Sequence, residues 1–310
     1  MLVPFVAGML GVAGSAYTSS HQSLTTVATH DPPPDSPEPL YAAPTRRDRI
    51  GRIVAPVMIN GRGPFGFILD TGATHSAISA HAVRQLGLQP EPGATMMLNG
   101  VTGTELVMSV LVDRLDVGDL VLEKERMPVL DYVMANADGI LGVENLRDKR
   151  ILVDFIHDRV VIARSRSEST PRGFVQIPVR MRAGGLLAVD AAVGRVTLKA
   201  VIDTGSEGTL GNEILASTLG IRPNPKQPLS EVSGATSPIQ KGHSVIVPRL
   251  TLGSALILNA DVTFGDIYVF RLWGLDREPA IVLGMDVLGR ADTLIIDYRR
   301  KELQIHFPGS

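Results

Sequence analysis

Two stretches of the chain end an apolar run in a carboxylate: Phe67-Ile68-Leu69-Asp70-Thr71-Gly72-Ala73 and Ala200-Val201-Ile202-Asp203-Thr204-Gly205-Ser206. An aspartate at the end of a buried strand is costly unless it is hydrogen-bonded or paired. Gly72 and Gly205 remove side-chain bulk just after it, so backbone N–H groups can close on the carboxylate or on a ligand. Thr71 and Thr204 carry hydroxyls that can bond neighbouring backbone and fix a turn. If the two motifs meet, two carboxyls share one site. Like charges that close cannot both ionise easily, so one proton stays between them. Such a pair can act as general base and general acid around a single water. A lone Asp-Thr-Gly is compatible with an ordinary turn. Two copies, each after an apolar strand and 133 positions apart, point to chemistry at Asp70 and Asp203.

The rest of the inventory offers no rival centre. The chain has no cysteine, which excludes a thiol nucleophile, disulfides and Cys-based metal sites. Its seven histidines show no HExxH or comparable spacing, so neither metal nor cofactor is expected. The net charge is −2, without a long run of either sign, and no nucleic-acid signature appears.

The elements that would position the two aspartates recur in order. HAVRQLGLQP (81–90) and NEILASTLGIRP (212–223) read as short helices closed by Gly87 and Gly220, again 133 apart. GVTG (100–103) is answered by EVSG (231–234), and LDVGDLVL (115–122) by LTLGSALIL (250–258). DGILGVENL (138–146) is answered by AIVLGMDVL (280–288), and ILVDF (151–155) by LIIDY (294–298). Shared order and near-constant spacing argue for a duplicated unit of about 120 residues, within the ordinary domain range. Aromatics are scarce at 5%, and short apolar runs are cut by Gly and Pro, which favours strands. IVAPVMING reads as a strand entering a turn at Asn60-Gly61, with FGFILD returning. The expected class is all-β with minor helix.

On these residues the chain resembles the aspartic protease superfamily, and its segments are most similar to the retropepsin-like branch. The similarity rests on Ile68-Leu69-Asp70-Thr71-Gly72-Ala73-Thr74, on Val201-Ile202-Asp203-Thr204-Gly205-Ser206, and on Ile140-Leu141-Gly142 and Val282-Leu283-Gly284, and it covers about residues 48–310. The resemblance implies two fused acid-protease β-barrel lobes with the active site at the lobe interface, as in a pepsin-like pseudo-dimer. It implies Asp70 and Asp203 as catalytic residues around a shared water. Thr71, Gly72, Ala73, Thr204, Gly205 and Ser206 would support the turns, and hydrogen bonds would link the two threonines. Val101, Thr102 and Gly103, with Val232, Ser233 and Gly234, fall where flaps would be. The implied function is an aspartic endopeptidase acting on extended polypeptide segments; the alternative is an inactive peptide-binding protein of the same fold.

Further expectations concern single residues. The motifs differ at Ala73 against Ser206, and a Ser206 hydroxyl donating to Asp203 would favour its charged form and leave the proton on Asp70. His75 reads as an exposed turn histidine, Asp138 as a cap or turn residue, and Asp154 and Asp297 as strand-edge or interface residues. Trp273 would either line a substrate pocket or cover the core.

Outside the repeat, residues 1–16 read as a signal peptide or anchor and 17–47 as a Ser/Thr/Pro-rich disordered tether. The first lobe is then 48–166 and the second 174–310. Taking a bacterial origin, the leader places the protein in the periplasm or tethered to a membrane facing it. The partner is a polypeptide substrate rather than nucleic acid, and the chain acts as a monomer.

Overall fold

The computed structural model describes residues 5–7, 41–44, 46–47, 51–117, 120–133, 137–144, 146–166 and 168–308. Among them, strands dominate and the helices are short: Ala80–Leu86, Glu213–Thr218, Tyr268–Leu272 and Met285–Leu288. The class is all-β with minor helix, built as two acid-protease lobes.

Each lobe places its aspartate by the same device. Strand Ile53–Ile59 turns at Asn60-Gly61, both in left-handed backbone at φ 51° and 74°, into Arg62–Leu69. That pair of positive φ angles matches the right-handed strand twist of a tight hairpin. Phe67, Ile68 and Leu69 are fully buried, so the strand is central and leads its chain straight inside. Gly139–Leu141 lies parallel to it, with Ile140 opposite Ile68, and antiparallel to Ala77–Ser79 on its other side. The chain therefore leaves strand Arg62–Leu69 at Asp70, loops, and returns across Gly139–Leu141. In the second lobe, Ala280–Leu283 lies between Val196–Ile202 and Thr209–Asn212 in the same way, with Val201 opposite Val282. Ser79 caps the first helix, its Oγ accepting from Ala82 N at 3.0 Å, and Gly87 ends it at φ 68°. Asn212 caps the second, its Oδ1 accepting from Leu215 N at 2.8 Å.

The lobes are joined by a shared antiparallel sheet. Strand Lys149–Asp154 of the first pairs with Thr293–Asp297 of the second, Leu152 opposite Ile295, across the pseudo-twofold axis. Outward on either side follow Arg159–Arg164 and Glu302–His306, then Tyr41–Pro44 and Val175–Met181. Strands Tyr41–Pro44 and Arg46–Arg47 fall inside the stretch expected to be a disordered tether. Tyr41–Pro44 takes the place in this sheet that Val175–Met181 takes in the second lobe. Backbone 5–7 pairs in parallel with Leu98–Gly100. The remainder of the expected leader and tether lies outside the described residues. A continuous apolar core runs through both lobes, from Val57, Phe67 and Val112 through Ile151 and Leu294 to Leu198, Leu250 and Val262.

Candidate active site

The two Asp-Thr-Gly turns meet at the axis. Asp70 donates its amide to Leu141 O at 3.0 Å and Asp203 donates its own to Leu283 O at 3.1 Å, which fixes each at the mouth of its strand pair. The threonines then lock the lobes together. Thr71 Oγ1 donates to Ile202 O at 2.7 Å and accepts from Thr204 N at 3.1 Å. Thr204 Oγ1 donates to Leu69 O at 2.8 Å and accepts from Thr71 N at 3.1 Å. All four bonds are buried, where losing a partner costs the full desolvation of the group left behind.

Asp70 and Asp203 are fully buried and close enough for each to shift the protonation of the other. Each Oδ1 is held by its own turn: Gly72 N donates to Asp70 at 2.8 Å, and Gly205 N and Ser206 N both donate to Asp203 at 3.0 Å. Neither Oδ2 has a hydrogen-bond partner among the described residues. Gly72 is a steric necessity, since a Cβ there would lie 2.6 Å from the Asp203 carboxyl carbon. Gly142 and Gly284 serve the same close packing one strand away; side chains would strike the backbone of His75 and Gly208 at 2.5 Å.

The pair is not symmetric. Burial raises both carboxyls, and the charge of Asp203 pushes Asp70 well above its ordinary range, with only the turn amides opposing. Asp203 is also raised by burial, but the Asp70 carboxyl, the Gly205 and Ser206 amides and the Arg52 guanidinium all pull it back down. The surroundings therefore favour the charged form at Asp203 more than at Asp70. The expected cause was different: the Ser206 hydroxyl donates to Gly208 O at 2.7 Å, not to Asp203. Its backbone amide and Arg52 do that work instead. Arg52 is wholly buried and reaches Glu207 of the second lobe at 3.9 Å. The strand registers Val54–Ile68 and Ala188–Val201 make Leu186 its twofold counterpart, and Thr74 that of Glu207. A cation thus stands on the Asp203 side and a leucine on the other. Sequence reading missed Arg52, whose signal was an arginine just before an otherwise apolar strand.

A hairpin tip of one lobe meets a loop of the other. Val101, Thr102 and Gly103 form the turn between Thr95–Gly100 and Thr104–Val117. In the second lobe the strand Ser230–Val232 leads into a longer loop. Val232, Ser233 and Gly234 begin that loop, but the residues that touch the opposite tip are Thr236, Ser237 and Pro238. Thr102 Oγ1 lies 3.2 Å from Thr236 Oγ1, Ser237 donates to the Glu105 carboxylate, and Gly103 packs on Pro238. Val101 is buried against Phe270 and Trp273 of the second lobe, and Val269 N donates to Val101 O at 3.0 Å. Trp273 therefore both covers core and backs the flap.

Other residues sort clearly. Asp138 accepts from Gly66 N at 2.8 Å as a turn support. Asp154 accepts from the Ile156 and His157 amides, and buried Asp297 from Ser165 Oγ at the shared sheet. His75 is not an exposed turn residue: it is half-buried, 3.1 Å from Thr74 Oγ1, and burial lowers its pKa.

Paired, buried, unequal carboxyls on interlocked Asp-Thr-Gly turns define an acid-protease site. The chain matches the family described as aspartyl protease over residues 55–144 and 189–287, one match per lobe, and belongs to that family. No curated protein matches it.

Proposed function

We propose that the protein is an endopeptidase in which Asp70 and Asp203 activate one water for attack on a peptide bond. Ionised Asp203 takes the water proton as general base, while protonated Asp70 hydrogen-bonds the scissile carbonyl. Attack gives a tetrahedral intermediate, and the carboxyl that gained the proton delivers it to the leaving amine. Carboxyl pairs this close share one proton in general, because both cannot ionise together. The observation that carries the reading is the joint burial of the two carboxyls with unlike surroundings. Because both aspartates come from one chain, the working unit is a monomer. Because the dyad is fully buried under touching tips, the tips must part before a polypeptide can enter as an extended strand.

The test is cleavage of an unfolded protein by the purified full chain across pH, with mass-spectrometric mapping of products. Hydrolysis is expected in wild type and absent in Asp70→Asn and in Asp203→Asn. Tight binding of the same chain without any cleavage would replace the hydrolytic reading with that of a peptide-binding protein.

A further inference from the structure

On the Asp70 side of the dyad, a cavity of about 590 Å³ opens between the lobes. Its first-lobe wall includes Thr74, His75 and Glu144, and its second-lobe wall Gly184, Gly185 and Tyr298. The hydrolytic reading uses none of them. The cavity exists because the twofold is broken here. Gly51 and Gly185 are counterparts, both in left-handed backbone at φ 99° and 90°. After Gly51 comes Arg52, which reaches Glu207; after Gly185 comes Leu186, which packs with Val201 and Phe270 instead. The Asp203 side is thus filled by an ion pair, and the Asp70 side is left hollow.

Two residues of the cavity's lining carry buried polar atoms that the protein does not satisfy. Tyr298 is 3% exposed and its Oη has no partner among the described residues. Its twofold counterpart is Phe155, also buried, so packing alone does not require the hydroxyl. Glu144 accepts from Ser76 N at 2.6 Å through Oε1, while its Oε2 is buried and without a partner. The counterpart of Glu144, Asp286, uses its carboxylate on Thr209 Oγ1 at 2.7 Å. Buried polar atoms are nearly always bonded, so two orphans among the lining residues, one from each lobe, call for a ligand that bonds both. Its charge follows from the surroundings. Glu125 lies close enough to act on both His75 and Glu144, and Asp148 stands at the rim with its own partners Lys149 and Arg164. Against these carboxyls the cavity sets the exposed Arg147, and His75 is kept neutral by burial.

We propose that this cavity binds an organic cation, an alkylammonium or alkylguanidinium group, through Glu144 Oε2 and Tyr298 Oη. Nitrogen-borne hydrogens satisfy both oxygens, and above about pH 7, where Glu144 is ionised, its carboxylate supplies a charge-assisted bond. The group could belong to a lysine or arginine of a polypeptide in the cleft, or to a free small amine. The site itself does not require hydrolysis at the dyad.

Isothermal titration of the full chain with agmatine tests it, with glutarate as an anionic control. Agmatine is expected to bind and glutarate not. Losing a hydrogen bond to a charged partner should weaken binding about 10-fold or more in Glu144→Gln and about 3- to 10-fold in Tyr298→Phe. Glu144→Gln keeps the oxygen that serves Ser76, and Tyr298→Phe copies the twofold-related residue; the latter decides the matter if the former does not fold. Absence of agmatine binding, or equal affinity in both variants and wild type, overturns the proposal, leaving the cavity to solvent. A second arm maps cleavage of a peptide library. Enrichment of Lys or Arg at one fixed distance from the cut bond, lost in Glu144→Gln, identifies the substrate as source. Binding of agmatine without such enrichment identifies a free amine. Agmatine binding in a chain that cleaves nothing would sink the hydrolytic reading and keep the site.

Discussion

At the scale of single residues, protonation is the governing variable. The dyad, Glu144 and Asp286 are all raised by burial, Glu144 to about 7 and Asp286 to about 6. A raised carboxyl keeps a proton in the folded state that the unfolded chain has released. Its contribution to stability is therefore complete below the unfolded pKa and is lost as pH rises through the folded one. The fold should weaken between about pH 4.5 and 7.5, and urea denaturation at those two values checks the sign. For Glu144 the shift from 4.5 to about 7 corresponds to at most about 3 kcal/mol, so Glu144→Gln should flatten that share of the slope. Either dyad Asn variant should lose activity by about 10²–10⁴-fold or more, the ordinary weight of a positioned acid or base.

At the scale of elements, the paired threonine turns and the flaps carry different loads. Thr71→Val strips a donor from Ile202 O and an acceptor from Thr204 N, both buried. Two orphaned groups at about 1–3 kcal/mol each predict a loss of about 2–6 kcal/mol, while Thr71→Ser, which keeps the hydroxyl, should stay within about 1 kcal/mol of wild type. Chemical denaturation separates the two. The first flap can be watched directly, because Val101 packs in the same cluster as the only tryptophan, Trp273. Peptide added to the Asp70→Asn chain should change Trp273 emission as the tips part. Val101→Ala removes about 1–2 kcal/mol of burial from the closed state, so the open state should gain about 5- to 30-fold. An emission that ignores peptide would mean the flap does not move on binding.

These elements differ in how far they could be read from the chain. Asp70, Asp203, their threonines and the glycines after them were legible because their chemistry is local: strand, turn and carboxylate lie within seven residues. The short helices were legible from Gly87 and Gly220. The second flap was read a few residues early, because the strand Ser230–Val232 ends before a loop whose length, not composition, sets where Thr236 meets Thr102. The Ser206 hydroxyl was assigned to Asp203 because a sequence does not show that Gly208 O lies nearer. Strand Tyr41–Pro44 went unread because the signal of four residues that include two Ala and a Pro is weak, and only pairing with Arg159–Arg164 makes it a strand. Arg52, Tyr298 and the cavity depend on contacts between lobes, to which no local pattern points.

At the scale of the whole molecule, the question is what a fused pair of lobes gains over two identical ones. Two identical first lobes would set Arg52 opposite Thr74, and two identical second lobes would set Glu207 opposite Leu186. Only the unlike pair puts the buried guanidinium beside a carboxylate. Breaking a buried pair by removing one partner costs about 3–5 kcal/mol, whereas replacing both by fitting neutral residues is often neutral or stabilising. Glu207→Thr should therefore be strongly destabilising, and Arg52→Leu less so because Glu207 keeps access to solvent. The double variant, which copies the Leu186–Thr74 side onto the other, should be more stable than the sum of the single losses by about 1–3 kcal/mol. Denaturation of the four chains measures that coupling, and strict additivity would mean the pair does not specify the lobes. The same variants carry a second readout. Arg52 holds the Asp203 carboxyl down, so its removal should move the acidic limb of the pH–rate profile to higher pH, in the double variant as in the single. If stability recovers in the double variant while the acidic limb stays displaced, Arg52 has two separable roles: it pairs unlike lobes, and it adds to the turn amides in holding Asp203 ionised.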